Sequence, residues 1–144
     1  MVNWTQYQKV ALDTNCFIYM IEGSPYETIV RSLFKAIEEG HVLAVCSVLT
    51  ITELLTGPCR SGDARLWEEY RAALYRFPNL SFHPIDIPIA EGAAQLRGKY
   101  RIKSPDAIHL STAMLETADV FITNDKELSK CDFPVIILSD IVSN

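Results

Sequence analysis

Four acidic residues stand where their neighbours make a carboxylate conspicuous. Asp13 halts the run Val10-Ala11-Leu12, Glu53 interrupts Ile51, Leu54 and Leu55, Asp106 follows Ser104-Pro105 at the head of an apolar segment, and Asp125 closes "VFITND". Taken singly, each has an ordinary use: Asp13 and Asp125 as turn or cap residues, Asp106 as an anion matched to a helix start, Glu53 as an exposed helical charge. Brought together, they would repel and raise one another's pKa values unless a cation neutralised them. An all-oxygen donor set without a Cys/His group favours Mg²⁺ or Mn²⁺ over zinc.

The elements that must position these acids alternate between strand and helix. "VAL" reads as a short buried strand ended by Asp13, and an apolar segment resumes after Asn15. "SPYETIVRSLFKAIEEG" reads as a helix with Ser24 as N-cap, Pro25 at the first position, Glu27 closing a capping box and Gly40 as the stop. "HVLAVCS" is expected as a strand, "SVLTITELLTG" as a helix capped by Ser47 and ended by Gly57, and "GDARLWEEYRAALYRFP" as a helix with a solvated charged face. "LSFHPID" is a strand that Pro84 confines to an edge or an end. Two further helices follow, "PIAEGAAQLRGKY" and "SPDAIHLSTAMLETA", the second with Ser104 as cap and Pro105 at its first position. "DVFITND" and "FPVIIL" complete the series as β-branched runs. This order implies an α/β fold with a mostly parallel central sheet and helices on both faces. Ligands then bind beyond the carboxyl ends of the strands, where Asp13 and Asp125 stand.

Composition bounds the function. The 144 residues form most simply a single domain spanning residues 1–144, 49% hydrophobic and 22% charged, with roughly two-thirds of the unfolded surface buried in one core. No apolar stretch approaches the ~18 residues of a membrane span, and the start "MVNWTQYQK" lacks the basic and apolar regions of a secretory signal. A cytoplasmic protein without a membrane partner is expected. Cys16, Cys46, Cys59 and Cys131 include no C-x-x-C pair, so reduced thiols are expected, with Cys46 a small core residue. The formal charge of −5 argues against broad nonspecific capture of nucleic acid. It leaves room for a metal-dependent nucleic-acid enzyme, because bound cations change the local balance.

The stretches "ALDTNCFIY", "SVLTITELLTG", "KYRIKSPDAIHLSTA" and "VFITNDKEL", in this order and spacing, resemble the PIN-domain ribonucleases, in particular the short VapC-type toxins of toxin–antitoxin pairs. The resemblance runs from about Lys9 to Leu138. It implies a PIN-like three-layer fold and Mg²⁺- or Mn²⁺-dependent endonucleolytic cleavage of RNA. The family's acidic positions fall on Asp13, Glu53, Asp106 and Asp125, with Thr14, Asn15 and Thr123 as polar neighbours that orient carboxylates or the scissile phosphate. Asp13, Asp106 and Asp125 are the expected direct ligands, and Glu53 either ligates the metal or positions water. The same resemblance implies a homodimer and a small antitoxin partner, which "CFIYMIEGSPYETIV" and "TITELLTGPC" would receive in an apolar groove.

Arg97, Lys99, Arg101 and Lys103 alternate just before Asp106 and are expected either to hold RNA phosphates or to form a solvated helix end. Arg60 and Arg65 are weaker candidates. His109 lies one helical turn past Asp106 and, without a second imidazole, reads as a packing residue rather than a ligand. A phosphoacceptor receiver would want an acidic pair after the first strand, and a haloacid-dehalogenase-type phosphatase a second acid where Asn15 stands. A PIN-like module that binds RNA or protein without cutting is the remaining alternative.

Overall fold

The computed structural model describes residues 2–142. Five strands form the sheet: β1 (Lys9–Leu12), β2 (Leu43–Ser47), β3 (Leu80–His83), β4 (Val120–Thr123) and β5 (Val135–Ile137). Their order is β3-β2-β1-β4-β5, and every pairing among the described strands is parallel. The helices are α1 (Thr14–Glu22), α2 (Glu27–Glu38), α3 (Leu49–Ser61), α4 (Ala64–Tyr75), α5 (Ile87–Tyr100), α6 (Ser104–Leu115) and α7 (Leu138–Val142).

Three layers follow from the strand pattern. Val10, Leu12, Ala44, Cys46, Val120 and Ile122 point into one core, which they share with Phe17 of α1, Leu33 of α2, Leu54 of α3 and Leu74 of α4. The alternate residues Ala11, Val45 and Phe121 point to the other face, where Ala93 and Leu96 of α5 and Ala107 and Leu110 of α6 cover them. The alternation is the period-two geometry of a strand buried on both sides. The chain steps outward from β1 to β2 to β3, then returns to place β4 on the other side of β1. Right-handed crossovers therefore send α1–α4 to one face and α5–α6 to the other. The reversal of strand order falls between β1 and β4.

Aromatic packing fixes the α1–α2 side. The Phe17 ring meets Phe34 edge-on at a centroid distance of 5.1 Å and stacks on Phe82 at 6.3 Å, contacts each worth about 0.5–1.5 kcal/mol beyond area burial. The expected edge strand is β3, which among the described strands pairs only with β2 and stops before Pro84. All four cysteines are free thiols; Cys46 lies in the core, and burial pushes the Cys16 and Cys46 thiols far above the ordinary range. Among the described residues, no helix is long and apolar enough to cross a membrane.

Several element boundaries differ from the sequence expectation. The second helix starts at Glu27 rather than after Ser24: Ser24 Oγ accepts from Tyr26 N within the turn that reverses the chain between α1 and α2, and Glu27 pairs with Arg31 instead of closing a capping box. Gly57 does not stop α3, which continues through Pro58 to Ser61 and ends at Gly62, φ 68°. Leu54, Leu55 and Pro58 continue one buried stripe across the breaker pair, so tertiary packing outweighs local propensity. Ser104 is the first residue of α6 rather than its cap. The segment between β4 and β5 is a 3-10 helix, Lys126–Lys130, and α7 follows β5 where no helix was expected.

Candidate active site

The site forms where β1 and β4 deliver their carboxyl ends side by side. Asp13 N donates to Ile122 O at 2.9 Å, continuing the β1–β4 ladder one residue beyond the strand. The Asp13 side chain then caps α1: Oδ1 accepts from Thr14 N at 2.7 Å, while Oδ2 accepts from Thr123 Oγ1, also at 2.7 Å. Two charge-assisted bonds hold the carboxylate of a residue that is only 8% exposed. Thr123 is wholly buried and serves both acids at this edge, because its Oγ1 also accepts from Asp125 N at 3.1 Å. The Asp125 carboxylate accepts from Glu127 N and so caps the 3-10 turn.

Helices supply the rest. Thr14 Oγ1 donates to Glu53 Oε1 of α3 at 2.7 Å and lies 3.1 Å from Thr50 Oγ1. From the opposite layer, His109 of α6 places Nε2 2.6 Å from the same Glu53 Oε1 and 4.0 Å from Asp13 Oδ1. Because the acceptor is a carboxylate, Nε2 carries the proton. His109 Nδ1 is buried without a hydrogen-bond partner among the described residues. Burial lowers the His109 pKa, but the Glu53 hydrogen bond and the charges of Asp13, Glu53 and Asp106 outweigh it, and the net shift is upward. Burial raises that of Glu53, and the hydrogen bonds from His109 and Thr14 with the imidazole charge reverse this, for a net shift downward. The two directions agree on an ion pair.

Asp106 stands in the first turn of α6, one helical turn before His109. Burial pushes its carboxyl above the ordinary value; the charges of Asp13, Asp125 and Glu53 push the same way, and His109 opposes them. Four acids distant in sequence thus share one electrostatic neighbourhood. As the side chains stand, no group of three or more His, Cys, Asp or Glu among the described residues is placed to hold a metal ion. Glu53 Oε1 is bonded to His109 and Thr14, and the Asp125 carboxylate to Glu127 N. By donor type and by the upward pressure on Asp106, the acids nonetheless suit a hard divalent cation.

Asp106 and Asp125 open onto a cleft of about 380 Å³ whose other walls include Arg101, Lys103 and Lys130. The basic row ahead of Asp106 therefore divides. Arg101, left-handed at φ 57°, and Lys103 line the acidic cleft. Arg97 turns back to donate from Nε to Ile102 O, and Lys99 lies over the Tyr100 ring beside a larger, apolar cavity of about 430 Å³ away from the acids. Asn15 occupies the first turn of α1, its Oδ1 near Cys16 Sγ. Arg65 pairs with Glu69, and Arg60 borders an apolar hollow of about 370 Å³ between α3 and α4.

His109 is the residue that sequence reasoning set aside. It is a buried side chain, as a packing residue would be, yet it is bonded to one of the four acids. The signal was its spacing of three from Asp106, which puts both on one helix face.

A parallel α/β sheet with carboxylates gathered at its switch point defines the class. Residues 10–134 match the PIN domain family, and the chain belongs to it. Among solved structures, the chain is similar to a toxin–antitoxin complex from Klebsiella pneumoniae, with 25% sequence identity and a TM-score of 0.69 over 90% of this chain and 97% of that one. FitAcB from Neisseria gonorrhoeae superposes with a TM-score of 0.71 at 24% identity, covering 90% and 98% of the two chains. VapBC2 from Rickettsia felis, bound to a promoter DNA fragment, gives 0.71 at 18% identity over 90% and 98%. The latter two likenesses speak for the fold alone. No curated protein matches the sequence.

Proposed function

We propose that the chain is a metal-dependent endoribonuclease acting as the toxin of a toxin–antitoxin pair. The observation that carries this reading is the convergence of Asp13, Glu53, Asp106 and Asp125 at the β1–β4 edge, where Asp106 feels the charge of the other three. Asp13, Asp106 and Asp125 would hold Mg²⁺ or Mn²⁺, with Glu53 beside them. When bound, such an ion lowers the pKa of a water that attacks phosphorus and offsets charge on the phosphoryl oxygens.

The chain's own residues do the positioning. Thr123 and Thr14 N fix both oxygens of Asp13, so its carboxylate meets a cation with little reorganisation. Arg101 and Lys103 face RNA phosphates across the cleft, while Arg97 and Lys99 are engaged elsewhere. The family match and the likeness to toxin–antitoxin complexes support the partner: a small antitoxin lying on the α1–α3–α4 side, where Ile51, Leu55 and Trp67 line the open hollow. A homodimer and a cytoplasmic location belong to the same proposal.

One observation favours a second reading, a PIN-like module that binds RNA without cutting: no three acidic or imidazole groups stand ready to hold a metal ion among the described residues. The deciding experiment is RNA cleavage by purified, partner-free protein with Mg²⁺, with Mn²⁺ and with EDTA, beside Asp13→Asn and Asp106→Asn. Metal-dependent cutting lost in both folded variants supports the nuclease. Cutting that survives EDTA and both substitutions overturns the site, and RNA binding without cutting or metal uptake favours the silent module. Asp13→Asn is expected to keep its fold by circular dichroism, since removing one charge also relieves repulsion.

A further inference from the structure

Glu53 differs from the other three acids in what holds it. Its Oε1 takes a hydrogen bond from His109 Nε2 at 2.6 Å and another from Thr14 Oγ1 at 2.7 Å. These donors come from opposite sides of the sheet, Thr14 from α1 and His109 from α6. His109 is 2% exposed and its Nδ1 has no partner among the described residues; its one short contact is Nε2 to Glu53 at 2.6 Å, with Thr14 Oγ1 at 3.5 Å and Asp13 Oδ1 at 4.0 Å farther off. A buried imidazole with an unsatisfied nitrogen is costly as mere packing. An apolar side chain of similar volume would fill the space without that cost.

We propose that His109 is a positioning residue that holds Glu53 as a hydrogen-bonded carboxylate beside the metal-binding acids, and not as a direct metal ligand. This rests on the nuclease reading above and assigns the role left open for Glu53. Asp13, Asp106 and Asp125 would form the set that takes the cation, and the His109–Thr14 clamp would hold Glu53 beside that set, where it would orient the attacking water. Thr14 links the two parts, donating its backbone N–H to Asp13 and its hydroxyl to Glu53.

The test combines Mn²⁺ binding, by calorimetry on partner-free protein, with single-turnover cleavage of whichever structured RNA the wild type cuts in a panel of total transfer and ribosomal RNA. His109→Leu and Glu53→Gln are each expected to slow cleavage about 10- to 100-fold, leaving Mn²⁺ affinity as in the wild type. The double variant is expected to be no slower than the slower single, because the two groups act as one unit. His109→Gln, which carries an amide donor to about the place of Nε2, is expected to recover most of the rate. Asp106→Asn is the contrast, expected to lose Mn²⁺ binding itself.

Multiplying rate losses in the double variant would overturn the proposal. So would a loss of Mn²⁺ affinity in Glu53→Gln equal to that of Asp106→Asn, which would make Glu53 a ligand. Should His109→Leu fail to fold, His109→Asn, whose amide is too short to reach Glu53, carries the same cycle. Failure of the parent reading looks different: the wild type neither binds Mn²⁺ nor cuts RNA, and this proposal falls with it.

Discussion

The Thr123 hydroxyl makes two bonds in a place water cannot enter, so removing it has a calculable cost. Thr123→Val keeps the shape and the β-branch and removes only the oxygen. The bond to the Asp13 carboxylate, 2.7 Å, is of the charge-assisted kind worth about 1.5–3 kcal/mol, and the bond from Asp125 N, 3.1 Å, about 0.5–1.5 kcal/mol. Because Thr123 is 0% exposed, neither partner is resupplied in place by solvent, and the expected loss is about 3 kcal/mol. With an m-value of about 2 kcal/mol/M, the urea midpoint should fall by about 1.5 M at neutral pH in EDTA. The melting temperature should fall by about 9 °C. Thr123→Ser, which keeps the oxygen and loses a methyl, is the control and should cost about 1 kcal/mol. In an Asp13→Asn background the valine substitution should cost less, since the acceptor is then neutral. A valine variant no less stable than the serine one would refute the reasoning and leave Asp13 held by the backbone alone.

Other outcomes follow from the packing and the charges. Phe17→Ala removes a wholly buried ring that touches Phe34 and Phe82 and should cost about 3–5 kcal/mol in urea unfolding. Gly92→Ala places a methyl against Ser111 Oγ, which itself donates to Ile89 O at 2.9 Å, so either the hydroxyl swings away and gives up that bond or α5 shifts against α6; a loss of about 1–3 kcal/mol is expected, relieved in Gly92→Ala/Ser111→Ala. The Glu53–His109 pair sets a pH window in metal-free protein. His109 is raised above 6.5, so its contribution is fully present below that value and fades as pH climbs through the folded pKa. Glu53 is lowered below 4.5, so its contribution is fully present above that value and fades as pH falls through the folded pKa. The stability difference between wild type and His109→Asn should therefore be greatest between pH 4.5 and 6.5.

How much of this was legible in the sequence depends on the range of the interaction. Strand positions were readable because successive residues such as Val10 and Ala11 are both apolar, as burial on two faces requires. Asp13 was readable as an oddity because a carboxylate ends such a strand. The end of α3 was not, since what carries it past Gly57 and Pro58 is burial of Pro58 on neighbouring elements. Ser24 misled for a similar reason: its hydroxyl is spent on the turn before α2. His109 was passed over because a lone histidine takes its meaning from what faces it, and Glu53 lies 56 residues away. The basic row looked uniform in sequence, but the left-handed bend at Arg101 sends its two halves to different surfaces.

An all-parallel sheet puts every carboxyl strand end on one edge, so the bonds that join the acids of different elements there span long stretches of chain. The Thr123–Asp13 bond spans 110 residues and the His109–Glu53 bond 56. Contacts of such separation close late in folding, after the loop entropy between them has been overcome. A ribosome-bound chain that has released β1 through α6 but not β4 holds Asp13 without its Thr123 partner, and no N-terminal fragment that ends before β4 carries all four acids. On the nuclease reading proposed above, the topology would act as a timer: the four acids are complete only once β4 and Asp125, near the end of the chain, have been made.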